Sequence, residues 1–168
     1  MTFEYVIEPL NKQHRRDSFS CGEPPLDLYL RQYARQSAEK GLGRTFVAVA
    51  DGSADVVGYY TLSSGSISFA DVPERLPRHP IPTAHIGRLA VDKKAQGRGL
   101  GSLLLADALG RVASVAAEIG IYAVELNAKS ERAKRFYLRF GFVELIDDDK
   151  HLYLPINTII NAAGKASI

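Results

Sequence analysis

The segment Gln96-Gly97-Arg98-Gly99-Leu100-Gly101 constrains this chain more than any other. It follows a β-rich run, Ala84–Asp92 (AHIGRLAVD), and precedes Leu100, Leu104, Ala108, Val112 and Val115, which recur at helical spacing over about five turns. A strand that enters a helix through closely spaced glycines needs a sheet for the strand and a layer for the helix. Glycines there let the backbone approach a ligand, and the first helical turn presents unpaired N–H groups to an anion. Arg98 adds a cation, so a phosphate or pyrophosphate suits the turn. Two familiar glycine motifs fail. A dinucleotide fingerprint requires a glycine where Ser102 stands, and a P-loop requires Gly-Lys-Ser/Thr. Taken alone, the turn is equally compatible with glycines used only for tight strand–helix packing.

The remaining pattern supplies the sheet. Phe3–Ile7 reads as a first strand, and Pro25–Glu39 as a helix ended by Gly41 and Gly43. Arg44–Ala50 and Val56–Phe69 read as strands joined by the Asp51-Gly52-Ser53 turn. Asp71–Pro82, broken by prolines, reads as a surface loop with at most one short helix. Ile121–Leu126 is a strand. Ser130 caps a helix on which Ala133, Phe136, Tyr137 and Phe140 share one face and which Gly141 stops. Phe142–Ile146 and His151–Leu154 form a closing antiparallel pair across Asp147-Asp148-Asp149, and residues after Ile156 read as a loosely held tail. The order predicts a mixed α+β fold: one twisted mixed β-sheet flanked by helices on both faces. Residues 1–157 are expected to form one domain and 158–168 a C-terminal tail.

Composition narrows the function classes. The 168 residues are 46% hydrophobic and 24% charged, ordinary values for a globular domain. No apolar run reaches the ~18 residues of a membrane helix, and the N-terminus lacks a signal-peptide pattern, so a cytoplasmic protein is expected. One cysteine excludes an internal disulfide and a cysteine-cluster metal site. A net charge of +2 is far from that of a nucleic-acid-coating protein, yet it permits local basic patches.

Two elements together carry a family resemblance. Gln-x-x-Gly-x-Gly after Leu89-Ala90-Val91-Asp92 closely resembles motif A of the GNAT acyl-CoA N-acetyltransferases. Ala133-Lys134-Arg135-Phe136-Tyr137-Leu138-Arg139-Phe140-Gly141-Phe142 resembles the family's second helix, in the correct order with a strand between. Phe19-Ser20-Cys21-Gly22, Leu26-Asp27 with Leu30, Ala34 and Gln36, Val57–Leu62 and Pro80-Ile81-Pro82 resemble one branch, the toxins that N-acetylate aminoacyl-tRNA beside a ribbon-helix-helix antitoxin. The likeness runs from about Phe3 to Pro155. It implies acetyl-CoA as cosubstrate and no metal. The strand Leu89, Ala90 and Val91 would pair with the pantetheine arm through its backbone. The turn Gln96, Gly97, Arg98, Gly99, Leu100, Gly101 and Ser102 would hold the pyrophosphate, with Ser130 and Phe136 as further contacts. It also implies a homodimer and an antitoxin partner.

Acetyl transfer from a thioester to an amine needs a neutral amine, a polarised carbonyl and a proton for the departing thiolate. Tyr137 stands where the family carries a tyrosine acid, and a phenol pKa of ~10 lies near a thiol's ~8.5. On periodicity alone Tyr137 reads as a core residue beside Phe136 and Phe140. His85, Asp92, Glu125 and Glu144 qualify as general bases by residue type only, and each reads more simply as structural or surface. A base is dispensable for an α-amine of pKa ~7.7–8, unlike a lysine at ~10.4, which favours an aminoacyl ester as acceptor. Ser130 replaces the asparagine that opens this helix in many family members, while Asn127 lies just before it; either contacts pantetheine or Ser130 is only a cap. Cys21 reads as a small buried residue rather than a nucleophile.

Arg31, Arg35, Lys40 and Arg44 on one side, and Arg75, Arg78 and Lys93 on another, are candidates for tRNA phosphates, although solvated surface charge explains any one of them. The leading expectation is therefore a toxin that acetylates the α-amine of aminoacyl-tRNA. An acetyltransferase of small amines or protein N-termini, and a catalytically idle CoA-binding or partner-binding module, remain open at this point.

Overall fold

Prolines and glycines punctuate the elements of the computed structural model, which describes residues 4–166. The strands are β1 (Tyr5–Pro9), β2 (Arg44–Ala50), β3 (Val56–Ile67), β4 (Ile81–Val91), β5 (Ala123–Asn127), β6 (Val143–Glu144) and β7 (His151–Pro155). The helices are α1 (Pro24–Leu28), α2 (Ala34–Glu39), α3 (Leu100–Val115), α4 (Glu131–Arg139) and α5 (Ile156–Ala166). The strands form one seven-stranded sheet in the order β1-β2-β3-β4-β5-β7-β6. Pairs β1–β2, β2–β3, β5–β7 and β6–β7 are antiparallel and β4–β5 is parallel, the crossover running through α3. This is the expected mixed sheet flanked by helices.

Two compact units divide the chain. The first comprises Met1–Ser63 with Gly87–Ala108, and the second Ser64–Ile86 with Leu109–Ile168. The first is centred on Phe19, Leu30, Val47, Val56, Tyr59 and Ala90, with Leu10, Cys21, Leu26 and Tyr29 packed against them. The second is centred on Ile67, Val72, Ile81, Ala123, Leu145 and Tyr153.

Several boundaries differ from those read in the sequence. The first strand begins at Tyr5, and Phe3 lies outside the described residues. Strand β4 begins at Ile81, three residues before the expected start, although Pro82 has no N–H to give a ladder. Its carbonyl is nevertheless paired, accepting from Tyr122 N at 2.8 Å, and Ile81 is a core residue. The helix expected over Pro25–Glu39 is interrupted by a π-helical turn, Tyr29–Tyr33. Side chains from elsewhere compete for carbonyls there: Tyr59 OH donates to Leu26 O at 2.6 Å and Arg16 Nη1 to Leu30 O at 2.8 Å. Such outside donors open an α-helical ladder, and no local pattern reveals them. The segment read as a tail from 158 on is helical in its described part, as α5.

Close packing of α3 on β3 depends on Gly58. A Cβ built there would lie 2.9 Å from Leu104 Cδ1, 3.2 Å from Leu100 Cδ2 and 3.3 Å from the Ala90 carbonyl. Tyr60 on the same strand hydrogen-bonds Asp107 of α3 at 2.6 Å. The first half of α3 is thus seated by one missing side chain and one hydroxyl. Gly58→Val is expected to destabilise the protein by about 1–3 kcal/mol through overpacking, seen as a lower urea midpoint with an unchanged slope.

Candidate active site

The glycine turn is anchored before it is shaped. Asp92, 6% exposed, closes β4; its carboxylate accepts from Ser20 N at 3.0 Å and from Lys94 N at 2.9 Å. Lys93 N returns a bond to Ser20 O at 2.9 Å. Gln96 then donates from Nε2 to Val91 O at 2.9 Å and to Cys21 O at 3.0 Å. Asp92 and Gln96 therefore tie the turn to the Phe19–Gly22 segment, and Asp92, a base candidate by type, is occupied as an anchor.

Past this clamp the backbone turns sharply at two positions, Gly97 with φ +80° and Gly99 with φ +81°. L-residues other than glycine rarely adopt these values. An added Cβ at either would meet nothing within 4 Å, so the glycines serve backbone shape rather than packing at the turn itself. Gln96 to Gly99 are exposed, Leu100 is buried, and the first helical bond runs from Leu103 N to Gly99 O at 3.2 Å. The preceding N–H groups have no acceptor within the helix, and with the exposed Arg98 they fit a pyrophosphate. Ser102 lies exposed in the same turn of α3, and Gly101 is half-buried. Leu89, Ala90 and Val91 lie on β4 beyond its last registered pair with β5, His85↔Glu125.

In the second unit, α4 presents Tyr137. Ser130 caps the helix by accepting from Ala133 N at 3.1 Å, so its oxygen is engaged locally, while Asn127 is exposed and in register with His151. Tyr137 is 8% exposed and packs edge-on against Phe136 and Phe142, with ring centroids 5.2 and 5.7 Å away. Burial pushes its pKa up to about 12, which keeps the phenol protonated throughout the neutral range. The hydroxyl meets no hydrogen-bond partner among the described residues. Lys134 of the same helix reaches Glu144 at 2.6 Å and Asp149 at 3.4 Å, so Glu144, another base candidate by type, is held as an ion-pair partner.

The other two candidates belong to one array. His85 Nδ1 lies 2.5 Å from Glu125 Oε1, and His151 Nε2 lies 2.7 Å from Glu125 Oε2. His151 Nδ1 in turn faces Asp147 Oδ2 at 2.9 Å. Glu125 is 5% exposed. Burial alone would raise its pKa, but the bonds to His85 and His151 outweigh it and hold the carboxyl below its ordinary value. Burial alone would lower His151, whereas Asp147 and Glu125 together raise it. The sequence reading missed His151 and Asp147; their only local signal was the acidic turn before β7.

The remaining candidates fall into separate groups. Cys21 is half-buried and its thiol pKa is pushed up to about 11, chiefly by burial and then by Asp27, which keeps it protonated and poorly nucleophilic. Arg35 and Arg44 line a cavity of about 570 Å³ with Lys12, Leu10 and Phe46, whereas Arg31 hydrogen-bonds Phe19 O at 3.2 Å. Arg75 and Arg78 line a second cavity of about 580 Å³ with Phe69, Glu74 and Leu76. Lys40 and Lys93 are exposed, the Lys93 stem lying beside Gly22.

Comparison with known proteins accords with this geometry. Residues 41–144 match the model of an acetyltransferase (GNAT) domain. The chain is 47% identical over 140 residues to a tRNA-acetylating toxin of Mycobacterium tuberculosis (strain ATCC 25618 / H37Rv), covering 82% of this chain and 83% of that one. The solved structure of the toxin AtaT complexed with acetyl-methionyl-tRNAfMet is similar, with TM-score 0.89, 28% identity, and 95% and 99% of the two chains covered. So is a tyrosine-to-phenylalanine mutant of AtaT bound to the C-terminus of the antitoxin AtaR and acetyl-CoA, with TM-score 0.80, 30% identity, and 93% and 96% covered.

The raised pKa of His151 has a consequence for stability. Its contribution is fully present below the unfolded value of about 6.5 and is lost as pH rises through the raised folded value. Glu125 contributes with the opposite sign, present above about 4.3 and constant from there upward. Asp147→Asn is therefore expected to destabilise the protein more at pH 6 than at pH 9, by at most about 1 kcal/mol because Asp147 is partly exposed. Paired urea titrations check this, and an equal loss at both pH values would refute it.

Proposed function

This chain belongs to the GNAT acetyltransferase family, and from that premise we propose that it moves the acetyl group of acetyl-CoA to the α-amine of aminoacyl-tRNA, as a toxin that blocks translation. The observation that carries the reading is the 47% identity, over 82% of the chain, to a tRNA-acetylating toxin. The glycine turn supports a CoA thioester as donor, and the buried, protonated Tyr137 supports turnover over a catalytically idle CoA-binding module.

In this reading the turn from Gln96 to Ser102 holds the pyrophosphate through backbone N–H groups and Arg98, with Gln96 as the clamp that keeps the turn in shape. The backbone of Leu89, Ala90 and Val91 aligns the pantetheine arm, and Ser130 and Phe136 complete the acetyl-CoA contacts. The amine nitrogen attacks the thioester carbonyl directly, and Tyr137 protonates the departing sulfur as general acid. Arg31, Arg35, Arg44, Arg75, Arg78 and Lys93 are assigned to tRNA phosphates. Residues 1–157 act as one acetyltransferase domain, working in the cytoplasm as a homodimer. A ribbon-helix-helix antitoxin neutralises it; the binding of the antitoxin AtaR to AtaT supports an antitoxin partner.

The test is transfer of labelled acetyl to a pool of charged tRNA, beside deacylated tRNA and a panel of small amines. Label on charged tRNA alone supports the reading, and label on small amines alone refutes it. Tyr137→Phe is expected to keep acetyl-CoA affinity while turnover falls about 10²–10⁴-fold, and an unchanged rate would remove the general acid. Gly99→Val is expected instead to weaken acetyl-CoA binding about tenfold, because a side chain is disfavoured at this φ by about 1–2 kcal/mol; calorimetric titration measures it.

A further inference from the structure

One buried hydroxyl in the first unit has nothing to bond to. Thr45 of β2 is 4% exposed, and its Oγ1 meets no hydrogen-bond partner among the described residues. Burying an unpaired hydroxyl is costly, and valine has the same shape and suits a strand as well without that cost. Such an atom is explained by a contact that something entering from outside supplies. Thr45 is placed for one, because it lines the cavity of about 570 Å³ in this unit. Side chains alternate along β2, so Thr45 shares a face with Val47, which joins Leu30 in the core, while the Phe46 ring lies on the other face against Tyr60. On the Thr45 side the cavity is also lined by Ala34 and Ala38 of α2, whose side chains are single methyl groups.

The cavity is both fixed and charged. One wall is the turn after β1, where Leu10 N donates to Thr45 O at 2.9 Å, Asn11 N to His14 Nδ1 at 3.0 Å and Gln13 N to Asn11 Oδ1 at 2.8 Å. The backbone that carries Lys12 is thereby held in place. Lys12 and Arg44 are exposed, Arg35 is half-buried and Thr45 is buried, so the cations stand at the mouth and part-way in, with the hydroxyl deepest. None of the three cations has an ion-pair partner among the described residues, although Glu39 lines the same cavity. Three cations against one carboxylate leave a surplus of two positive charges. Arg16 adds to the field from beside Arg35: its Nη1 donates to Leu30 O, and burial first and Arg35 second lower its pKa. Pro9, Leu10, Ala34 and Ala38 give the cavity an aliphatic surface, and its volume lies within the range of about 300–1,000 Å³ usual for small-molecule sites. All of these residues belong to the first unit.

We propose that this cavity binds a small phosphate monoester with an aliphatic body: the phosphate held by Lys12, Arg35 and Arg44, the body against Leu10, Ala34 and Ala38, and a polar atom at its far end bonded to Thr45 Oγ1. The site stands apart from the acetyl-transfer reading and needs no reacting group. A phosphate monoester carries a charge of about −1.5 to −2 at neutral pH, which matches the surplus, and guanidinium forks grip its oxygens through paired N–H donors. The RNA backbone is the other source of phosphate for Arg35 and Arg44. Each of its phosphodiesters carries a single charge and runs along a surface, so it meets the outer cations, leaves the buried hydroxyl unpaired and has no aliphatic group for the alanines. The hydroxyl and the aliphatic wall therefore favour a small molecule that enters the cavity.

The experiment is calorimetric titration of the full chain with inorganic phosphate, hexyl phosphate and the monophosphate of hexanediol. Hexyl phosphate is expected to bind at a single site per chain about tenfold more tightly than inorganic phosphate, and hexanediol monophosphate about fivefold more tightly still. In Thr45→Val, which exchanges the hydroxyl for a methyl of similar size, the last two are expected to change order, because the probe's hydroxyl is then buried unpaired. Arg35→Met is expected to weaken all three about tenfold. Deacylated tRNA titrated into the same proteins separates the two sources of phosphate. Its affinity is expected to be unchanged by Thr45→Val, and a loss equal to that of hexanediol monophosphate overturns the small-molecule assignment by placing RNA in the cavity. No preference for hexyl over inorganic phosphate, or an order of probes that Thr45→Val leaves unmoved, also overturns the proposal. Ala38→Leu gives a second reading should Thr45→Val fold poorly: with the aliphatic wall filled, hexyl phosphate is expected to lose its advantage while inorganic phosphate still binds, and a retained advantage overturns the site.

Discussion

The first unit depends on the carboxylate of Asp92. A charge that is 6% exposed is tolerable only when its oxygens are hydrogen-bonded, and here backbone N–H groups from two segments provide for it. The arrangement binds three things together: the end of β4, the Ser20–Cys21 backbone and the short turn that opens into the glycines. Gln96 repeats the connection four residues later with both amide protons. Glycines at Gly97 and Gly99 are flexible by nature, and a flexible turn would lose entropy on every encounter with a ligand. The clamp settles that cost during folding, so the N–H groups at the start of α3 are oriented without a ligand.

This explains which parts of the site could be read from the sequence. The glycine turn and Tyr137 were legible because each is made by residues within a few positions of one another, on elements whose periodicity is plain. Most strands as local runs, and Ser130 as a cap, were legible for the same reason. The anchors were not. Ser20 and Asp92 are 72 residues apart, His85 and Glu125 are 40, and Glu125 and His151 are 26. Residue type alone made His85, Asp92, Glu125 and Glu144 equal candidates for a base. Their partners separate them: a backbone clamp for Asp92, a lysine for Glu144, two histidines for Glu125, and for His85 one engaged and one open nitrogen.

The π turn shows the same limit in a different way. Leu26, Leu30 and Ala34 keep ordinary helical spacing, so the pattern announces an unbroken helix. The break arises from Tyr59 and Arg16, which supply hydrogen bonds to carbonyls that the helix would otherwise use. It also leaves Tyr29 stacked on Tyr59, with Arg88 of β4 3.5 Å above the Tyr29 ring. The end of β4 is thereby fastened to the N-terminal helical segment through the Arg88 side chain, and to Ser20 through Asp92.

In the acid role proposed for Tyr137, a phenol whose pKa is about 12 looks a poor donor to a thiolate, yet burial would act on both partners. Moving a proton from tyrosine to sulfur exchanges one anion for another in the same apolar surroundings, so the cost of removing charge from water largely cancels. What remains is the intrinsic gap between phenol and thiol, about 1.5 pKa units in water, or roughly 2 kcal/mol. Collapse of the tetrahedral intermediate outweighs a gap of that size, provided the amine proton has already gone. The general-acid role proposed for Tyr137 is therefore compatible with its raised pKa. In that proposed role the buried phenol keeps its proton until sulfur departs, and the same burial that raises its pKa is what holds the proton in place.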